Sequence, residues 1–235
     1  MKSILIKISG ELFCNKDATS ENKFNSDLAE SIIKQIKELQ KSFHIGIVIG
    51  GGNFFRGINE FKNLNIRQSV ADNIGMLATI MNGVLLKELM ENNGIKTSLL
   101  SSFVIPQICQ TSNQANIDEA MSEGKCIIFV GGTGNPFFST DTNAVVRALQ
   151  IGAKEVWKAT KVDFVCDSDP AKNPDCKPLY EISYAQALEK NLRIMDLTAF
   201  TLAQDNNLEI RIFNIFKEQA LLKVASDKNF GSTLK

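Results

Sequence analysis

Histidine is the scarcest chemistry in this chain: one residue, His44, in 235. That excludes a poly-histidine metal site. It also leaves Ser–His and Cys–His nucleophilic catalysis without a base, because His44 sits at the mouth of a strand and reads as structural. The five cysteines (Cys14, Cys109, Cys126, Cys166, Cys176) form no C-x-x-C pair. Their odd number fits the reduced thiols of a cytoplasmic protein. Neither sign of charge is in excess, with 26 Lys+Arg against 26 Asp+Glu. A polyanion-binding surface, and with it a nucleic-acid partner, is therefore not expected. No apolar run approaches the roughly 20 residues of a membrane span, so no membrane partner is expected either. The opening "MKSILIKISGELF" has an apolar core too short, and too interrupted by Lys7, for a signal peptide. Internal repeats, low-complexity stretches and linkers are also missing, so residues 1–235 read as one domain with a well-buried core.

What is present is an alternation of strand-like apolar runs with helix-length periodic segments, the α/β signature. "SILIKIS" is the first strand. Leu28, Ile32, Ile33, Ile36 and Leu39 then follow helical spacing, with Ser26 or Asp27 as the cap. "HIGIVIG" hardly alternates and reads as a strand buried on both faces. Asn65 to about Glu91 is a long, mostly apolar helix stopped by Asn92-Asn93-Gly94. "KTSLLSS", "KCIIFVG", "KEVWKAT" and "LEIRIF" are further strands. Helices are expected at Gln114–Glu123, Asp141–Gln150, Ser183–Lys190, Asp196–Asn206 and from Lys217. "DSDPAKNPDCKP" has the composition of a turn or hairpin. The economical architecture is one open, mostly parallel sheet with helices on both faces.

Four loops then collect at the carboxyl ends of strands, where open α/β sheets bind ligands. In "KISGE", Lys7 is a lysine inside a buried strand, which is costly unless it reaches solvent or a carboxylate. "IVIGGGNFFRG" puts Gly50, Gly51 and Gly52 where backbone N–H groups can face an anion, with Arg56 able to add a charged contact. It is neither a Walker A loop nor a dinucleotide fingerprint. "GGTGNPFFSTD" joins small donors to a rigid apolar wall of Pro136, Phe137 and Phe138, a mixture suited to a flat base beside a phosphate. Asp141 at its end either caps the next helix or serves the site. "KATKVDFVCDSDP" packs lysines and aspartates around a turn and, alone, reads as a solvated charged loop.

Taken in order, "KISGE", "GGGNFFRG", "ADNIGMLATIMNG", "GTGNPFFSTD", "KATKVD" and "MDLTAFTLAQD" resemble the motifs of the bacterial uridylate (UMP) kinases, in the amino acid kinase superfamily, over nearly the whole chain. The resemblance implies a three-layer α/β/α sandwich that transfers the γ-phosphoryl group of ATP to UMP. By matching motif, Lys7, Asp141 and Asp196 would be the catalytic set, the two aspartates orienting a lysine or Mg2+. ATP would be held by Lys7, Ile8, Ser9, Gly10, Gly52, Arg56, Thr160, Lys161, Cys166 and Asp169. UMP would be held by Gly51, Asp72, Thr133, Gly134, Asn135, Pro136, Phe137, Phe138, Ser139 and Thr140, with Asp72 at the ribose. Mg2+ would be held mainly by nucleotide phosphates rather than by a protein cage. A homohexamer is the assembly the resemblance implies.

Two stretches depart from that pattern. Phe164 stands where a glycine is common, and Cys166 where an aromatic packs near the adenine. Residues 164 and 166 share a face of an extended segment, so Phe164 is expected to supply the apolar contact instead. Ile105 to Lys125, towards subunit contacts and the effector site in the family, lacks the acidic and arginine-rich pattern of many relatives. Two other readings compete. A kinase of a carboxylate or carbamate lacks the "GTGNPFF" wall. A binding or storage protein that lost catalysis has no need to keep Lys7, Arg56, Asp141 and Asp196 together.

Overall fold

The computed structural model describes residues 1–10, 25–54, 65–168, 173, 175–192 and 194–235. Arg56 and Asp169, both expected at the ATP side, lie outside the described residues. Strand β1 (Lys2–Ile8) is central, flanked in parallel by β2 (Phe43–Ile49) and β6 (Glu155–Thr160). The sheet also holds β3 (Thr97–Ser101), β4 (Gln110–Thr111), β5 (Cys126–Val130), β9 (Glu181–Ile182), β10 (Glu209–Asn214) and β11 (Ser232–Leu234). Its order is β4-β3-β5-β2-β1-β6-β10-β11-β9. All ladders but β10–β11 are parallel. A separate hairpin pairs β7 (Val165–Cys166) with β8 (Pro178–Leu179).

Helices cover both faces, as the unalternating strands require. On one face α1 (Ser26–Leu39), α2 (Gln68–Asn92) and α7 (Ala220–Ser226) pack on Ile4, Ile6, Ile8, Ile47 and Trp157. On the other, α3 (Gln114–Ser122), α4 (Thr140–Gln150), α5 (Tyr184–Glu189) and α6 (Leu197–Asp205) pack on Leu5, Val48, Phe129 and Val156. Successive side chains of a strand leave opposite faces. Lys7 therefore shares the parity of Leu5 and turns towards α4, and Lys158 shares that of Val156.

Several boundaries differ from the sequence reading. The cap of α1 is Asn25, whose side chain accepts from Leu28 N at 3.1 Å, rather than Ser26 or Asp27. Asn65 lies at φ 51° and α2 begins only at Gln68, because a left-handed residue cannot continue a helix. Contrary to the expectation of no membrane-length apolar run, α2 is long and apolar enough to cross a membrane by length and composition. Its buried residues, among them Ile80, Leu86 and Met90, pack into the first core. The expectation of reduced cysteines is corrected at one pair: Cys166 and Cys176 face each other across the hairpin and form a disulfide. Cys126 is free and buried, Cys109 free and half-buried.

Candidate active site

β1 and β6 run side by side in a register that sets Lys7 opposite Lys158. Two ammonium groups on neighbouring strands repel unless an anion lies between them. Asp141, in the first turn of α4, supplies it: its Oδ1 is 3.1 Å from Lys7 Nζ and its Oδ2 is 2.6 Å from Lys158 Nζ. All three side chains keep only 14–16% of their surface exposed. Burial alone would raise the Asp141 carboxyl, but the charges of Lys7 and then Lys158 outweigh it and hold it below its ordinary value. Burial pushes the Lys158 ammonium down, with Asp141 opposing and Lys7 reinforcing the shift. Lys158 also donates to the Ile194 carbonyl. The result is a net positive knot at the carboxyl ends of β1 and β6, suited to negative charge spread over phosphate oxygens.

The start of α4 is fixed from two sides. Ser139 is its cap, accepting from Asp141 N and Thr142 N at 3.0 and 3.1 Å. This settles the alternative left open for Asp141, which is no cap but the counter-ion of the lysines. Asp196 accepts from Ser139 Oγ and from Thr142 Oγ1, and also caps α6 by accepting from Ala199 N at 3.0 Å. Its carboxylate is thus spent on hydroxyls and a helix start. It hydrogen-bonds to no lysine among the described residues, so it positions α4 rather than orienting a lysine directly.

Beside this knot opens a cavity of about 310 Å³ whose lining includes Ser139 and Thr140, the residues just before Asp141. Gly51, Gly52, Asp72, Asn135 and Phe138 also line it. Of the residues expected around UMP, Thr133, Gly134, Pro136 and Phe137 do not. Thr133 Oγ1 is turned onto the backbone of Asn135, and Gly134 N donates to the Gly131 carbonyl, so these two shape the loop. Phe137 is 69% exposed at φ 72°, which corrects the expected two-ring wall to Phe138 alone. Asp72 Oδ2 accepts from Phe137 N at 2.8 Å and so anchors this loop to α2. Sequence reasoning missed Met76, Thr79, Gly132 and Asn143 on the cavity wall. It also missed Lys158, which the argument used for Lys7 would have found: a lysine in a buried strand. A wider pocket of about 410 Å³ opens around Lys96 and Lys125, at the amino ends of β3 and β5 and away from these groups.

The glycine run serves packing as much as anion binding. Gly50 N donates to the Ile8 carbonyl at 2.9 Å, so that N–H is not available to a ligand. A Cβ on Gly51 would meet Gly75 O at 2.6 Å and Ala78 Cβ at 2.8 Å; one on Gly10 would meet Gly50 O at 2.3 Å. The loop is braced by Asn82, whose Nδ2 donates to Gly50 O and Asn53 Oδ1, both at 2.7 Å. Ile8 is fully buried in the first core, so its side chain is no ligand. Ser9 and Gly10 continue β1 at its carboxyl end, as expected. Thr160 Oγ1 is turned onto the carbonyls of Val162 and Phe213, and Lys161 is exposed just beyond. Cys166 is committed to Cys176, and Phe164 packs across the hairpin on Tyr180 with centroids 6.2 Å apart. His44 stands at the amino end of β2, opposite the site.

A lysine pair held by one aspartate thus stands beside a cavity of about 310 Å³ at the carboxyl ends of the strands. The amino acid kinase family model matches residues 2–214. The uridylate kinase of Haemophilus influenzae (strain 86-028NP) is 41% identical over 99% of this chain and 97% of its own. That of Psychromonas ingrahamii is 41% identical over 100% of this chain and 93% of its own. The crystal structure of UMP kinase from Ureaplasma parvum superimposes with a TM-score of 0.94 at 34% identity, covering 100% of this chain and 98% of that one. The chain belongs to the amino acid kinase family and, within it, to the uridylate kinases.

Proposed function

We propose that this chain phosphorylates UMP with ATP, giving UDP and ADP. The observation that carries the reading is the convergence of Lys7 and Lys158 on Asp141, the residue that follows Thr140 of the Asp72–Phe138 cavity wall. Phosphoryl transfer needs in-line positioning and neutralisation of spreading charge more than covalent help. The phosphate oxygen of UMP is already ionised near neutral pH, so the single histidine costs the mechanism nothing. In this reading Lys7, Ser9 and Gly10 hold the ATP phosphates and Lys158 joins Lys7 on the transferring group. Asp141 keeps both ammonium groups aimed, and Asp196 holds the α4 start. Gly52, Arg56, Thr160, Lys161 and Asp169 complete the ATP side, while Gly51, Asp72, Asn135, Phe138, Ser139 and Thr140 surround UMP.

Mg2+ would be held mainly by the ATP phosphates and would come with that substrate, since Asp141 faces two lysines and Asp196 two hydroxyls. A cytoplasmic setting suits a nucleotide kinase. In this reading the chain assembles into a homohexamer; exposed Ile74, Leu77, Met81, Val84 and Leu85 along α2 form an apolar face that supports a contact between copies. Light scattering coupled to gel filtration tests the assembly. The function is tested by a coupled ADP-release assay with MgATP and UMP, CMP, AMP, GMP or acetylglutamate. Turnover of UMP far above the others supports it; no turnover of UMP, or turnover of acetylglutamate instead, sinks it.

A further inference from the structure

Asp72, Thr79 and Asn82 fall on one face of α2 by helical spacing, and each is turned onto a loop of the site. Asp72 holds Phe137 N. Thr79, 6% exposed, accepts from Gly131 N at 2.8 Å and donates to the Met76 carbonyl at 2.7 Å, so its one proton is committed. Asn82, 3% exposed, exchanges amide hydrogen bonds with Asn53 at 2.9 and 2.7 Å and holds the Gly50 carbonyl at 2.7 Å. Both of its N–H groups are occupied and its oxygen is engaged, so Asn82 has no donor left for a nucleotide.

The two grips reach different sides of the site. Gly50 N is bonded to the Ile8 carbonyl, and a Cβ on Gly10 would come within 2.6 Å of Asn53 Oδ1. Asn82 therefore holds the glycine run together with the end of β1, the donor side on the proposed function. Thr79 holds the residue that follows β5, where the acceptor-side loop begins. Along the helix axis the two residues lie only about 4.5 Å apart, at 1.5 Å per residue. Gly83 lets α2 lie close on β5, since a Cβ there would meet Val130 Cγ1 at 2.3 Å. A glycine inside a helix costs stability, so its place here marks that close approach.

We infer that Thr79 and Asn82 are positioning residues for phosphoryl transfer, setting through one helix the spacing between the donor and acceptor loops without bonding to either nucleotide. The inference rests on the UMP kinase reading. The loops follow different strands, and in-line transfer needs the reacting atoms held about 3–3.5 Å apart. A shift of one loop against the other slows the chemical step more than it weakens binding of either substrate.

The test is kcat and the KM values for UMP and ATP in Thr79→Val, Thr79→Ser, Asn82→Ala and the double variant Thr79→Val/Asn82→Ala, with thermal melting to confirm folding. Thr79→Val keeps the shape but loses the bond to Gly131. Its kcat should fall about 10- to 100-fold, the scale of a 1 Å misplacement. Both KM values should stay within about threefold, the split expected when ground-state binding is kept. Asn82→Ala should behave alike, and Thr79→Ser, which keeps the hydroxyl, should restore most of the rate. The double variant should lose less than the product of the two, because either loss already frees the spacing. Near-normal kcat in the folded single variants, a raised KM with kcat kept, Thr79→Ser as slow as Thr79→Val, or losses that multiply would each overturn the inference. Should Asn82→Ala not fold, the Thr79 variants decide alone. A wild-type chain inactive on UMP would instead sink the function on which the inference rests.

Discussion

Lys7 and Lys158 are register partners on β1 and β6, and both close on the carboxylate of Asp141. Two like charges on adjacent strands oppose folding by themselves, and their shared counter-ion sits on a helix that the sheet must dock correctly. The pair thus couples the packing of α4 to the chemistry beside it. On the proposed function, arriving phosphates would let the lysines redistribute their hydrogen bonds without moving the strands, the preorganisation that phosphoryl transfer rewards.

The first prediction follows from that sharing. Lys7→Ala should lower kcat by about 10²–10³, the scale for one preorganised stabilising group, with a smaller change in KM. Lys158→Ala should do the same, and the double variant should lose less than the product of the two, since groups acting on one centre are not additive. Steady-state kinetics of the three variants checks this. Near-normal kcat in Lys7→Ala would reduce Lys7 to a packing residue.

The second concerns pH. Burial lowers the Lys158 ammonium from its ordinary value, and on the proposed function its charged form is the active one. Activity is therefore full below the lowered value and declines as pH rises through it, earlier than an ordinary lysine would titrate. The alkaline limb of kcat/KM, which reports the free enzyme, should show this, and Lys158→Arg should move it upward. Stability has the opposite sign: the charged buried lysine costs folding, so this term improves as pH climbs between the folded and unfolded values. A limb identical in wild type and Lys158→Arg would show that another group sets it.

The third tests the glycine run. Gly51→Ala would press its methyl group on the Gly75 carbonyl and Ala78, backbone and side chain of α2 that cannot swing aside. A destabilisation of about 1–3 kcal/mol, the usual cost of overpacking, is expected in urea unfolding, with weaker UMP binding by calorimetry. Unchanged stability would mean the loop has more room than the contacts show.

The fourth concerns the hairpin. Closing a loop of sequence separation 10 between Cys166 and Cys176 is worth roughly 2–3 kcal/mol of loop entropy. On the proposed function this hairpin borders the adenine, so Cys176→Ser and reduction of the wild type by dithiothreitol should raise the KM for ATP alike. Thiol titration before and after reduction monitors the pair. A KM for ATP indifferent to both would remove the hairpin from the donor site.

The sequence made the sheet and the order of the loops readable, because apolar runs such as "SILIKIS" depend on nothing outside the strand. It did not reveal what Lys7 meets, since Asp141 lies more than a hundred residues away and also suits a helix start. Ser139 takes that role because its hydroxyl can bond two N–H groups and Asp196 together. Phe137 was misread for a backbone reason: its positive φ throws the ring outward, and residue type alone does not announce that. The cysteine pairing was hidden because it requires the hairpin, not a spacing rule. Lys158 was readable and overlooked.

Asp196 caps α6 while gripping Ser139 and Thr142 of α4, so a single carboxylate acts as the hinge pin between two helix starts. The beginning of α6 lies at the surface, with Leu197 69% exposed, so on the proposed function this pin ties an exposed helix start to Ser139 on the wall of the cavity.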